Sequence, residues 1–207
     1  MSITIILILI TSAISYLAFQ SPVFMAQTQL NPYMIIHRGQ WYRVMSHAFV
    51  HANYTHLLIN LFVLYSFGLA AEQYLNSLRY YRYLEHPVIH YLILYIGGII
   101  FSVLTTLIRH RNNPVYNAVG ASGAVSAIVF ITFFFEPWEK IYLFAIIPVP
   151  GILFGILYLG YSHFMSRRDA DNINHDAHFA GAIFGFLYPV TINPRLIQEF
   201  IQKLLMH

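Results

Sequence analysis

Apolar residues along this chain fall in long blocks separated by short polar stretches. Six blocks read as helices crossing a lipid bilayer, whose hydrocarbon takes about 20 apolar residues to span. They cover roughly Ile3–Phe19, Thr55–Tyr74, Val88–Ile108, Ala118–Phe135, Ile141–Phe164 and Ala177–Ile192. The fifth contains Pro148-Val149-Pro150-Gly151, which predicts a kink or a break there. Beyond Pro194, a tail from Arg195 to His207 sets Leu196, Ile197, Phe200, Ile201, Leu204 and Leu205 at helical spacing, opposite Arg195, Glu199 and Lys203. That pattern predicts an amphipathic helix in the membrane interface. The connection between the first two blocks, Gln20–Tyr54, has no Asp or Glu and many Phe, Tyr, Trp and Met. Such a segment is expected to embed in the interface, where Trp and Tyr are favoured.

Composition supports this reading. The 207 residues are 58% hydrophobic and 9% charged, whereas soluble domains carry about 25% charged residues. The fold class expected is therefore an all-α, six-span membrane protein: one domain over residues 1–207, with residues 195–207 as its amphipathic helix. The first block lacks a basic leader and a small-x-small cleavage site, so it reads as a retained span. The absence of cysteine excludes disulfides, thiolate metal sites and a cysteine nucleophile. The 11 Lys and Arg form no run that would suit nucleic acid. They also divide almost evenly between the two sides, so charge does not orient the bundle.

Histidine pairs occur as His47-x3-His51, His86-x3-His90 and His175-x2-His178. Pairs at this spacing can share a metal. However, His86 and His90 open the third span, on the opposite side from the others, and acidic ligands are scarce, so no metal or other cofactor is expected. No Asp, Glu, Lys or Arg marks a mid-span ion path, and Glu72 falls at the end of the second span, which argues against a transporter.

Parity brings the remaining polar groups together. His56 and Asn60 open the second span, Ser122 the fourth and His178 the sixth. Even-numbered spans begin on the same side, so these groups can share one layer near one membrane surface. Ser122 lies in Gly120-Ala121-Ser122-Gly123 at a helix start, whose unpaired N–H groups and positive dipole end suit an oxyanion. A serine hydroxyl needs a base to become a nucleophile. His178 shares a helix face with Gly181 and Gly185, which open that face to a close neighbour. His175 lacks this ladder and is the weaker candidate. His56 and Asn60, at i and i+4, can both donate to a developing negative oxygen. Each feature also has a packing explanation: a small-residue face, a hydrogen-bonded bundle histidine, a polar clamp between helices. Asp176 sits on another face from His178, and Asp169 and Asp171 lie in the preceding loop, so a serine–histidine dyad is expected in place of a triad.

Taken together, Tyr42-Arg43, His47, His51-x4-His56-x3-Asn60, Gly120-Ala121-Ser122-Gly123 and His178-x2-Gly181-x3-Gly185 resemble the rhomboid family of intramembrane serine proteases. The resemblance runs from Gly39 to Gly185 and implies a six-helix bundle with a membrane-embedded first loop. It implies Ser122 as nucleophile and His178 as general base. His56, Asn60 and the Ser122 N–H would form the oxyanion hole. It further implies transmembrane protein substrates with small residues at the scissile bond, a short central fourth span, and a site open to the periplasm or exterior of a bacterial inner membrane. A non-catalytic relative that only binds membrane helices is the alternative, and the presence of both Ser122 and His178 argues against it. Two positions depart from the family pattern. Tyr42, after Trp41, stands where members often carry Trp. Ser126 stands four residues after the nucleophile, where some members carry an aromatic that stacks on the histidine.

Overall fold

The computed structural model describes residues 2–143, 146–167 and 174–206. Its first long helix, α1 (Ile3–Gln20), starts at Ser2, whose hydroxyl accepts the Ile5 N–H. A chain of short helices follows: α2 (Pro22–Thr28), α3 (Pro32–Arg38), α4 (Arg43–Ser46) and a single 3₁₀ turn at His47–Phe49. The sequence punctuates this region in the expected way. Ser21 and Asn31 cap the next helix with their side chains, each followed by a proline at the first helical position, and Gly39 ends α3 in the left-handed region.

Five longer helices and the tail complete the bundle: α5 (Tyr54–Tyr80), α6 (Pro87–His110), α7 (Ser122–Phe135), α8 (Gly151–Met165), α9 (His175–Ile192) and the tail helix α10 (Leu196–Leu205). Among the described residues, α1, α5 and α6 are each long and apolar enough to cross a bilayer, while α7 and α8 are shorter apolar helices. Helix α7 is the axis of the fold, with every residue from Gly123 to Phe134 buried. Its 14 residues measure about 21 Å, well short of the roughly 30 Å hydrocarbon.

Helix α7 lies in a cradle of small residues. On the α6 side, Gly98 faces Ala124 and Ala127, and Ser102 faces Gly123. On the α9 side, Gly181 rests on the Gly123 carbonyl and Gly185 on the Ala127 backbone. In both cases small residues four apart let helix backbones approach closely, which is how helices associate where lipid removes the hydrophobic drive.

Three expectations are corrected. The fifth apolar block, Ile141–Phe164, is two elements: a hairpin of β1 (Lys140–Leu143) and β2 (Ile147–Pro150), then α8. Prolines at 148 and 150 push Ile147 and Val149, the residues before them, to extended backbone and remove two donors, so the helix can begin only at Gly151. The fourth block begins its helix at Ser122, four residues later than Ala118, because Leu30 and Ala118 exchange backbone hydrogen bonds (2.9 and 3.0 Å) and hold that stretch extended. The second block continues as helix past Tyr74 to Tyr80. Glu72 is therefore inside α5, where Oε1 accepts the Ser2 hydroxyl (2.6 Å) and the Thr4 N–H (2.7 Å) and so satisfies the start of α1.

Helix α10 packs on the bundle. Leu196 and Phe200 are buried, with Phe200 stacked on Phe134 (centroids 5.1 Å) and edge-on to Phe186 (5.2 Å). Lys203 donates to the Phe135 carbonyl (2.7 Å), one of the orphan acceptors at the end of α7, and pairs with Glu136 (2.6 Å).

Candidate active site

The turn before α7 is built by its neighbours. Gly120 has φ +117°, open to glycine and strained for other residues. An added Cβ there would also lie 2.7 Å from Cε1 and 2.9 Å from Nε2 of the His56 ring. The Gly120 N–H donates to the His47 carbonyl (2.9 Å), and the Ala121 N–H reaches His51 Nε2 at 3.4 Å. The other His51 nitrogen, Nδ1, lies 2.9 Å from Ser15 Oγ, which itself donates to the Phe49 carbonyl (2.8 Å). With its hydroxyl proton committed, Ser15 accepts from Nδ1–H, and Nε2 is left as the acceptor for Ala121. His51 therefore ties α1, the first loop and this turn together as a neutral imidazole. Burial, reinforced by the nearby His56, pushes its pKa down to about 3. Burial likewise lowers His47 to about 4, although the carbonyls of Arg43 and Val44 oppose the shift.

This turn delivers Ser122 as the first residue of α7, with Ala121 as a cap that offers no side chain to the first N–H groups. Those donors point toward the space above Ser122, at the positive end of the helix dipole. Helix α9 enters from the other side. Asn174 caps it by accepting the Ala177 N–H (3.1 Å), and its Nδ2 donates to Thr106 (2.9 Å) on α6. One turn further on, His178 Nε2 lies 2.7 Å from Ser122 Oγ. Both side chains are only half-buried. The contact depends on the glycines beneath it, since α7 and α9 can approach this closely only where Gly181 and Gly185 lack a Cβ.

Of the sequence-designated residues, Ser122 and His178 meet directly, and His56 lies against the turn that precedes Ser122. His56 stands on α5 with its ring against Gly120. Asn60 is buried one turn below, and its Nδ2 donates one hydrogen to the His56 carbonyl (2.9 Å). The remaining Nδ2 hydrogen is the one available to a ligand. Asp176 turns away from the dyad to pair with Arg109 on α6 (3.0 Å). Asp169 and Asp171 lie outside the described residues. His175 is buried beside His178, edge-on at 6.1 Å, and edge-on to Tyr161 at 5.5 Å. His90 bonds to the Tyr188 hydroxyl (2.9 Å), ten residues along α9 from His178 and hence about 15 Å away.

One residue at the site went unnoticed in the sequence. Tyr158 on α8 lies nearly parallel to the His178 ring, at 18° and 6.3 Å between centroids, and its hydroxyl is 3.1 Å from Ser126 Oγ. The available signal was the pairing of Tyr158 and Tyr161 at i, i+3 with His175 and His178 at i, i+3. That match becomes visible only once α8 and α9 are known to be neighbours.

In the first loop, Arg43 is buried. Nη1 donates to the Ala26 and Gln29 carbonyls (2.8 Å each) and Nε to Gln40 (2.6 Å), while Trp41 and Tyr42 remain exposed. The guanidinium lies 5.6 Å from the Tyr42 ring centroid. Arg43 therefore anchors the loop from within, with aromatic residues left on its outer surface.

The Rhomboid domain family model matches residues 38–195. The chain is 28% identical over 179 residues to the mitochondrial RHOMBOID-like protein 12 of Arabidopsis thaliana, covering 77% of this chain and 50% of that protein. It is 26% identical over 176 residues to Rhomboid-related protein 1 of Caenorhabditis elegans, covering 81% and 44%. A Bacillus subtilis (strain 168) protein, provisionally named the rhomboid protease YdcA, is 27% identical over 184 residues, covering 87% of this chain and 83% of that one. The chain spans about half the length of the first two relatives. A helical bundle of this apolar composition, with a family match over more than half its length, identifies the chain as a multi-pass membrane protein of the rhomboid family.

Proposed function

We propose that the protein is an intramembrane serine endopeptidase that cleaves transmembrane segments of other membrane proteins. The observation that carries the proposal is the 2.7 Å contact between Ser122 Oγ and His178 Nε2 at the start of a buried helix. In this reading the six apolar helices α1, α5, α6, α7, α8 and α9 each cross the membrane, residues 1–207 act as one domain, and α10 and the outer surface of the first loop lie at its interfaces. The site faces the periplasm or exterior of a bacterial inner membrane.

His178 takes the Ser122 proton as Oγ attacks a peptide carbonyl. The Ser122 N–H, His56 and the free Nδ2 hydrogen of Asn60 donate to the oxyanion. His178 then protonates the leaving amine, and water, activated by the same imidazole, releases the acyl-enzyme. A substrate helix hides its carbonyls in hydrogen bonds, so it must unwind locally, and Gly or Pro in the substrate lowers that cost.

The test is purified protein in liposomes with a single-span substrate. Ser122→Ala and His178→Ala each abolish cleavage, and Ser122→Ala abolishes labelling by a fluorophosphonate probe. Cleavage retained by either variant refutes the dyad. Loss of one oxyanion donor, as in Asn60→Ala, lowers the rate on the order of 10²-fold.

A further inference from the structure

The end of α7 away from Ser122 borders a cavity that the chemistry above does not use. Thr132 lies ten residues past Ser122, about 15 Å along the helix axis. There a space of about 130 Å³ opens between α5, the last turn of α7 and β1. A cavity of this size accepts one benzene-sized group. Phe67 and Phe133 meet edge to face in its wall, at 6.1 Å. Tyr74 forms another part of the wall, its ring stacked on Phe135 at 5.2 Å. Ser66, Glu139 and Lys140 also line it and are exposed, so the cavity opens outward.

The charges at this opening are not neutralised within the protein. Glu136 is committed to Lys203 (2.6 Å). Glu139 and Lys140 are neighbours in sequence, yet among the described residues neither has an ion-pair partner. Glu139 Oε2 accepts a neutral donor, the Tyr74 hydroxyl (3.2 Å). The backbone that carries both charges is held in place. The Gly151 N–H donates to the Glu139 carbonyl (2.9 Å), and the Ile152 N–H to the Pro137 carbonyl (2.8 Å). A positioned carboxylate and an uncommitted ammonium thus border one aromatic-walled space.

That combination selects among ligands. A lone cation meets repulsion from Lys140, and a lone anion from Glu139. A zwitterion satisfies both: its ammonium donates to Glu139 Oε1, and its phosphate accepts from Lys140. The cavity also lies where a membrane helix ends, and Tyr65 and Tyr142, exposed on α5 and β1, suit the headgroup level of a bilayer. We infer that this cavity binds the headgroup of a phospholipid carrying a primary ammonium, such as phosphatidylethanolamine, with the acyl chains left in the bilayer. The inference does not depend on the dyad.

The experiment is native mass spectrometry of the intact protein in detergent, titrated with dipalmitoyl phosphatidylethanolamine, phosphatidylcholine or phosphatidylglycerol, with melting temperature as a check on folding. Phosphatidylethanolamine should bind about tenfold more tightly than phosphatidylcholine, whose quaternary ammonium has no N–H for Glu139, and than phosphatidylglycerol, which brings no cation. Glu139→Gln should weaken phosphatidylethanolamine about tenfold and leave phosphatidylcholine little changed, which erases the preference. Lys140→Ala should weaken both alike, because it removes the phosphate contact. Equal binding of the three lipids would overturn the site. So would a preference that survives Glu139→Gln, or an unchanged phosphatidylethanolamine affinity in Lys140→Ala, in proteins that melt normally. Soluble glycerophosphoethanolamine competing as well as the lipid, or displacement of the lipid by a single-span peptide with a terminal lysine, would replace the lipid with another occupant and overturn the assignment.

Discussion

Replacing Gly181 with alanine tests whether helix contact distance sets the chemistry. A Cβ at Gly181 would lie 2.8 Å from the Gly123 carbonyl carbon and 3.1 Å from its Cα, with the carbonyl oxygen closer still. Ordinary contacts of a Cβ begin near 3.4 Å. Every obstructing atom is backbone, so no side chain can rotate to make room, and α9 must withdraw from α7 by about 1 Å. His178 is one turn along the same face and moves with the helix. Its 2.7 Å approach to Ser122 would open to about 3.5 Å or more, beyond a useful hydrogen bond. A misplacement of that size costs on the order of 10²-fold in rate. The overpacking itself costs about 1–3 kcal/mol of stability, so the protein should still fold. The assay is the fluorophosphonate labelling rate beside the melting temperature in the same detergent. A Gly181→Ala protein that melts lower yet labels at the unaltered rate would show that the glycine serves packing alone, and would refute the link from helix spacing to the dyad.

Other perturbations follow from the same geometry. Arg43→Lys replaces a buried fork serving three acceptors with a single ammonium, so the first loop should lose about 1–3 kcal/mol, read as a lower melting temperature; an unchanged melt would contradict the anchoring role. His47 and His51 stay neutral in the folded loop down to about pH 4 and 3, whereas a released loop takes up protons near its ordinary pKa of about 6.5. Below that value the released form binds more protons, so loop stability is fully present above about pH 6.5 and declines as pH falls toward 4; melting temperatures across that window should drop, and a flat profile would exclude the two imidazoles as the acid-sensitive element. Lys203→Ala removes a donor to the end of α7 and an ion pair that is partly exposed, so it should cost only about 0.3–1 kcal/mol, seen as a small fall in melting temperature and earlier proteolysis of α10.

The sequence alone determined which segments are apolar and that the chain is a helical membrane protein. Apolar block length is a property of the chain that no packing detail can reverse. The glycines at 181 and 185 announced a close neighbour for α9 because their only physical advantage at that spacing is the absence of a Cβ. Tertiary structure decided the rest. The two prolines signalled a break, but the hairpin of β1 and β2 needed two strands to meet. The late start of α7 depends on Leu30 pairing with Ala118, 88 positions away. The acceptor role of His51 depends on Ser15, and the stacking of Tyr158 on His178 joins two helices through a hydroxyl on a third. A local pattern records which face a residue occupies. It does not record which face of another helix will be opposite, and both the aim of the histidine and the shape of the serine turn are set by those opposite faces.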